Sequence, residues 1–179
     1  MIYMFLANGF EEIEALCPLD LLRRAGLEVT TVGIGGEMIR GSHGITVQAD
    51  MPDGLFADAA PDMIILPGGM PGSKNLDASR TVDAALKAAS RRGAYIAAIC
   101  AAPFVLGRRG LLEGKEAICY PGFENELTGA KISDKKVVRD GNIITAAGMG
   151  VALEFGLELI KVLKGEEAAE AIRAAVLAD

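Results

Sequence analysis

Short aliphatic runs alternate with longer helical stretches along this chain, and that alternation constrains its fold more than any other feature. Residues 94–99 form the most apolar run, and comparable runs occupy 2–7, 28–33 and 63–66. Uninterrupted runs of this kind, without polar alternation, mark strands buried on both faces of a parallel sheet. Between and after them the spacing predicts helices over 11–25, closed by Gly26, and over 78–91, 102–109, 151–164 and 166–177. Gly165 divides the last two. Hairpins are predicted at 38–40/45–48 about Gly41-Ser42-His43-Gly44, and at 136–139/142–145 about Asp140-Gly141. A short strand is predicted at 116–119. Strands interleaved with helices give an α/β fold with helices on both sheet faces.

With 51% apolar and only 5% aromatic residues, the composition suits such a sheet and excludes disorder. The 179 residues suit one domain, 1–179, and no repeat or linker divides them. Eighteen basic against 24 acidic residues leave a net charge of −6, and none of the three Arg pairs extends into the basic footprint of a nucleic-acid binder. The opening apolar run is too short for a signal peptide or a membrane span. Three cysteines without paired spacing argue against a disulfide framework. The expectation is a cytoplasmic protein with reduced thiols, no nucleic acid and no membrane.

In an open α/β sheet, ligands bind at the carboxyl ends of the strands. That directs attention to the loops after residues 7, 66, 99 and 119. The third follows GAYIAAICAAPFVLG, where an apolar strand runs into Cys100, then small residues, then a helix with Pro103 in its first turn. This is the layout of a nucleophile elbow. A thiol at a helix start is expected to have its pKa lowered from ~8.5 to ~4–7. Cys17 and Cys119 are read as ordinary buried cysteines.

Glu14 lies among Cys17, Leu21, Ala25 and Pro18 on the helical wheel, where a carboxylate is costly unless paired or protonated. It also opens the first helix, on the sheet edge that carries Cys100. Its pKa is expected to be raised, so that its neutral form donates a hydrogen bond to sulfur or relays a proton. Glu11 and Glu12 are read as ordinary acidic residues at a helix start. A second apolar face, Leu16, Leu19 and Leu22, suggests a homodimer contact in which Asp20 and Arg24 could take part.

After the third strand, Pro67-Gly68-Gly69-Met70-Pro71-Gly72 can aim backbone N–H groups at an oxyanion, together with the N–H of Ala101. It has neither a P-loop ending nor a dinucleotide fingerprint. His43 is the only histidine and sits in a predicted turn. A Cys-His pair within the chain is not expected, and a reach across a dimer interface is left open. No metal-ligand spacing is present.

The segments NGFEEIEALCPLDLLRRAG, LPGG and AICAAP together resemble the ThiJ/PfpI family, in the branch of the parkinsonism-associated protein deglycase, over essentially the whole chain. The resemblance implies a three-layer flavodoxin-like sandwich of the class I glutamine-amidotransferase type and a homodimer packed partly through the first helix. It implies Cys100 as an oxidisable nucleophile, Glu14 as its protonated partner, and Gly69 and Ala101, supported by Gly68, as backbone donors. The activities it implies are cofactor-independent: glyoxalase action on 2-oxoaldehydes such as methylglyoxal, deglycation of carbonyl adducts, or oxidative-stress sensing and chaperoning through a Cys100 sulfinate. Two departures from the family pattern stand out. Peptidase-like members carry His after the nucleophile, where this chain has Ala101. The deglycase branch often has His where this chain has Tyr120, so Tyr120 would have to substitute in proton transfer. A flavin or nucleotide ligand is the least favoured alternative.

Overall fold

A computed structural model describes residues 1–57 and 60–178. The first half of the chain contains β1 (Ile2–Leu6), α1 (Glu12–Arg24), β2 (Val29–Gly33), β3 (Met38–Arg40), β4 (Thr46–Gln48), β5 (Met51–Pro52), β6 (Met63–Leu66), α2 (Gly72–Ala78) and α3 (Arg80–Arg92). The second half contains β7 (Tyr95–Ile99), α4 (Pro103–Gly107), β8 (Glu116–Ala117), β9 (Lys131–Ile132), β10 (Val137–Asp140), β11 (Ile143–Ala146), α5 (Ala152–Lys164) and α6 (Glu166–Ala175). A seven-stranded sheet runs β10-β11-β7-β6-β1-β2-β5, parallel throughout except for the β10–β11 hairpin.

The sheet's two faces separate its side chains with period two. From β7, Ile96 and Ala98 join one apolar core while Ala97 and Ile99 join the other. In β6, Ile64 and Leu66 oppose Met63 and Ile65 in the same way. Helices α1, α5 and α6 cover one face, and α2, α3 and α4 cover the other. The result is the three-layer, flavodoxin-like α/β sandwich expected. Both faces are apolar because both are covered. Among the described residues no helix is long and apolar enough to cross a membrane.

Several elements differ from the sequence expectation. The helix expected at 78–91 is α3, with a separate α2 before it. Ser79 divides them by taking an extended conformation and accepting the Val82 N–H on its Oγ, which makes it the N-cap of α3. The strand expected at 116–119 stops at Ala117 and pairs in parallel with β9 in a separate two-stranded sheet. Side chains of the central sheet take its remaining N–H groups: Glu116 N donates to Asp140 Oδ2 and Ile118 N to Thr145 Oγ1. The apolar face of α1 offered for a dimer contact is largely closed within the chain. Leu19 and Leu22 are buried in the core beneath α1, and only Leu16 is left partly exposed. Asp20 and Arg24 form an exposed i,i+4 ion pair along α1.

The strand order changes direction at β1, with β2 on one side and β6 on the other. The crevice at such a switch point is where open α/β sheets bind ligands. Gly72, the first residue of α2, packs directly against the backbone of the loop after β1, and its N–H donates to Gly9 O at 3.1 Å. A Cβ there would lie 2.5 Å from Phe10 N and 2.6 Å from the Gly9 carbonyl carbon, both backbone atoms. Gly72→Ala should therefore destabilise the protein by roughly 1–3 kcal/mol, although Ala favours a helix by about 1 kcal/mol over Gly. Thermal unfolding that gives an equal or higher midpoint would contradict this packing.

Candidate active site

Cys100 lies immediately after β7 with φ of +64°, a left-handed conformation that a side chain makes unfavourable. Such strain of about 1–3 kcal/mol persists only where the surroundings fix it. Here both main-chain groups of Cys100 are held. Its N–H donates to Ala146 O at 2.8 Å, and its carbonyl accepts the Tyr120 N–H at 2.8 Å. The elbow therefore depends on β11 and on the segment after β8, both remote in sequence. Ala101 and Ala102 are buried beside it.

Glu14, in the first turn of α1, is 1% exposed. Its Oε2 accepts the Gly68 N–H at 3.1 Å, Met149 N–H also donates to it, and its carboxyl shares a hydrogen bond with the Cys100 thiol. Gly68 leaves the room for this pairing: a Cβ there would lie 2.3 Å from Glu14 Oε2 and 2.6 Å from Cys100 Cβ. Gly69, with φ of +90°, and Ala101 both aim their N–H groups at the Cys100 sulfur. The loop after β1 is tied to this loop, since Glu11 N–H donates to Gly68 O at 2.9 Å. The side chain of Glu11 in turn caps α1 by accepting the Glu14 N–H at 2.7 Å.

Burial raises the pKa of Glu14 to about 7, opposed by its hydrogen bond to Cys100 and reinforced by the charge of Glu11. This agrees with the sequence expectation. The lowered pKa expected for Cys100 does not: burial first, then the Glu14 charge, push its thiol up to about 12. Helix α4 is only five residues long, so its dipole is small, and the Ala101 and Gly69 N–H groups offset little of this. Between these two values the pair keeps one proton, shared across one hydrogen bond. The sulfur is therefore held as a thiol beside a group able to take its proton, and not as a standing thiolate.

Tyr120 meets the site through its main chain. Its ring is half exposed and lies near Gly148. His43 is not beside Cys100. Its Nδ1 lies 2.9 Å from Glu12 Oε2 and 3.7 Å from Glu11 Oε1. Glu12 is the residue the sequence reading misjudged. It is buried, and accepts the N–H groups of His43 at 2.8 Å and Ile45 at 3.4 Å. Nothing in the helical pattern separates it from Glu11; the β3–β4 turn that buries it lies about thirty residues away. Glu11, Glu12 and His43 are the one set of potential metal donors among the described residues, and the hydrogen bond between His43 and Glu12 accounts for their closeness. Cys17, Cys100 and Cys119 are all free.

The model of the DJ-1/PfpI family matches residues 1–162. The chain belongs to the DJ-1/PfpI family. It is 38% identical over 177 residues to Protein dj-1beta of Drosophila melanogaster, covering 97% of this chain and 95% of that protein. It is 33% identical over 159 residues to the glutathione-independent glyoxalase DJR-1.2 of Caenorhabditis elegans, covering 88% and 84%. The solved structure of oxidized Toxoplasma gondii DJ-1 superposes with a TM-score of 0.94 at 38% identity, covering 98% of this chain and 97% of that one. This family likeness extends across every strand and loop that shapes the Cys100 crevice.

The shared proton predicts the pH dependence of Cys100. Below pH about 7, Glu14 is protonated and has no room for the thiol's proton; above it, Glu14 is a carboxylate and accepts that proton. Alkylation of Cys100 by iodoacetamide, followed by peptide mass spectrometry, should therefore accelerate through pH about 7. In Glu14→Gln that step should disappear, leaving reaction only at alkaline pH. Identical profiles for the two proteins would exclude Glu14 as the base.

Proposed function

We propose that this protein is a cysteine-dependent, cofactor-independent enzyme acting on reactive carbonyl compounds, with small 2-oxoaldehydes such as methylglyoxal or their adducts as substrates. The observation that carries this reading is a buried, proton-accepting carboxyl hydrogen-bonded to a thiol on a strained turn. The glyoxalase name of the Caenorhabditis relative supports it.

In the first step the Cys100 sulfur adds to the aldehyde carbon while Glu14 takes the thiol proton. The oxygen that becomes an alkoxide is held by the N–H groups of Gly69 and Ala101 and then protonated, giving a hemithioacetal. Glu14, ionised again, removes the hydrogen of the former aldehyde carbon as a proton while the neighbouring carbonyl oxygen is protonated, giving an enediol. Glu14 returns its proton to that neighbouring carbon as the first hydroxyl loses its own and re-forms a carbonyl. One carbon is thereby oxidised and its neighbour reduced, so no external electron carrier is needed. The product is a thioester of a 2-hydroxy acid, which water hydrolyses to release the acid and restore the thiol. Tyr120, whose ring is exposed at the mouth, would contact the substrate rather than the sulfur. Exposed Ile13 and Met149 flank Glu14 in sequence and through its Met149 hydrogen bond, and they support a homodimer that shields the crevice.

Methylglyoxal consumption should fall at least ~10²-fold in Cys100→Ser and in Glu14→Gln. Equal consumption by all three proteins would refute the reading. A second reading, a redox sensor, is favoured by the two N–H groups and the carboxyl that converge on the sulfur, where they would bind sulfinate oxygens. Peroxide titration with mass spectrometry separates the two. Selective gain of two oxygens at Cys100, with negligible aldehyde turnover, would favour sensing.

A further inference from the structure

The Glu14–Cys100 pair lies next to a second ionisable group that the reaction does not use. At the start of α1 the carboxylates of Glu11, Glu12 and Glu14 fall within one turn. The β3–β4 turn lays His43 across the first two. Glu12 grips this turn almost out of solvent: Oε1 accepts the His43 and Ile45 N–H groups, while Oε2 faces His43 Nδ1 at 2.9 Å and Ser42 Oγ at 3.4 Å. Further main-chain bonds fasten the turn, from Ser42 N to Phe10 O at 2.8 Å and from Gly9 N to Arg40 O at 2.8 Å. Glu11 then links the turn to the site. One of its oxygens is 3.7 Å from the His43 ring and the other accepts the Glu14 N–H.

We propose that His43 is a positioning residue for the Glu14–Cys100 pair: its imidazolium offsets the carboxylates at the start of α1 and so governs when Glu14 can accept the thiol proton. This rests on the reading of Glu14 as the base for Cys100. The sign follows from the neighbours. The charge of Glu11 makes Glu14 hold its proton more tightly. A cation beside Glu11 opposes that and lets Glu14 ionise at lower pH. His43 can supply the cation because its hydrogen bond to Glu12, then the Glu12 charge, raise its own pKa. Of the other groups that face this cluster, Arg40 of β3 brings its guanidinium near Gly44, and burial with the Glu14 charge holds the Cys100 thiol's pKa up at about 12. Gly68 and Met149 contribute only N–H groups.

Two measurements test this, and neither needs an aldehyde substrate. First, because His43 is the chain's only histidine, its ring signals are a single-site probe by nuclear magnetic resonance. Coupling between two sites is reciprocal, so the His43 midpoint should drop in Glu14→Gln by the same amount that His43 lowers the midpoint of Glu14. Second, the pH midpoint of Cys100 alkylation should rise by roughly 0.2–0.5 unit in His43→Gln, return towards the wild-type value in His43→Lys, and lose most of this difference in about 1 M salt. An unchanged midpoint in His43→Gln would overturn the proposal, as would equal shifts in the Gln and Lys variants or a His43 titration indifferent to Glu14→Gln. The base reading fails separately, if Glu14→Gln itself leaves the alkylation profile unaltered.

Discussion

One proton held between a buried carboxyl and a thiol is the interaction on which the rest of this site depends. Both groups are buried there, and burial penalises either one as an anion. Burial is the main reason that Glu14 titrates near neutrality and the sulfur far above it, and the Glu14 charge pushes the sulfur up further. The arrangement keeps a neutral thiol in hydrogen-bond contact with a carboxyl group that titrates near neutrality. Under the proposed function, a substrate that develops negative charge near Gly69 and Ala101 would complete the proton transfer.

The surrounding fold serves to keep those two groups in contact. Strain at Cys100 is tolerated because Ala146 and Tyr120 hold its main chain from two directions. Glu14 is placed by α1, whose start is capped by Glu11 and fastened to the glycine loop after β6. That loop approaches so closely that side chains are excluded at Gly68. Sulfur, carboxyl and N–H donors therefore come from the ends of four strands, β1, β6, β7 and β11, with the Cys100 main chain bonded to β11 and the loop after β1 bonded to the loop after β6. Displacing any one of them would move the carboxyl relative to the sulfur.

Much of this is legible in the residues. The apolar runs gave the strands, the elbow around Cys100 followed from small residues on either side, and Glu14 was conspicuous as a charge in an apolar stripe. Family membership is consistent with all three. Other features escaped for physical reasons. The break at Ser79 is a local capping event inside a helix-rich stretch. The apolar face of Leu19 and Leu22 looked surplus because a helical wheel does not show how deeply the helix is seated. Glu12 was indistinguishable from Glu11 because its burial comes from a distant turn.

The amino-acid sequence by itself determined the layered α/β architecture, since short-range periodicity dictates which residues must leave water. It also determined which strand end carries a thiol and which helix start carries a misplaced carboxylate. The ionisation of that thiol was decided by tertiary structure alone. A helix start argues for a lowered pKa when considered locally, but burial and a neighbouring charge are properties of the assembled crevice, and they outweigh a five-residue helix. The position of His43 belongs to the same class, because contact across some thirty residues exists only once the chain has folded.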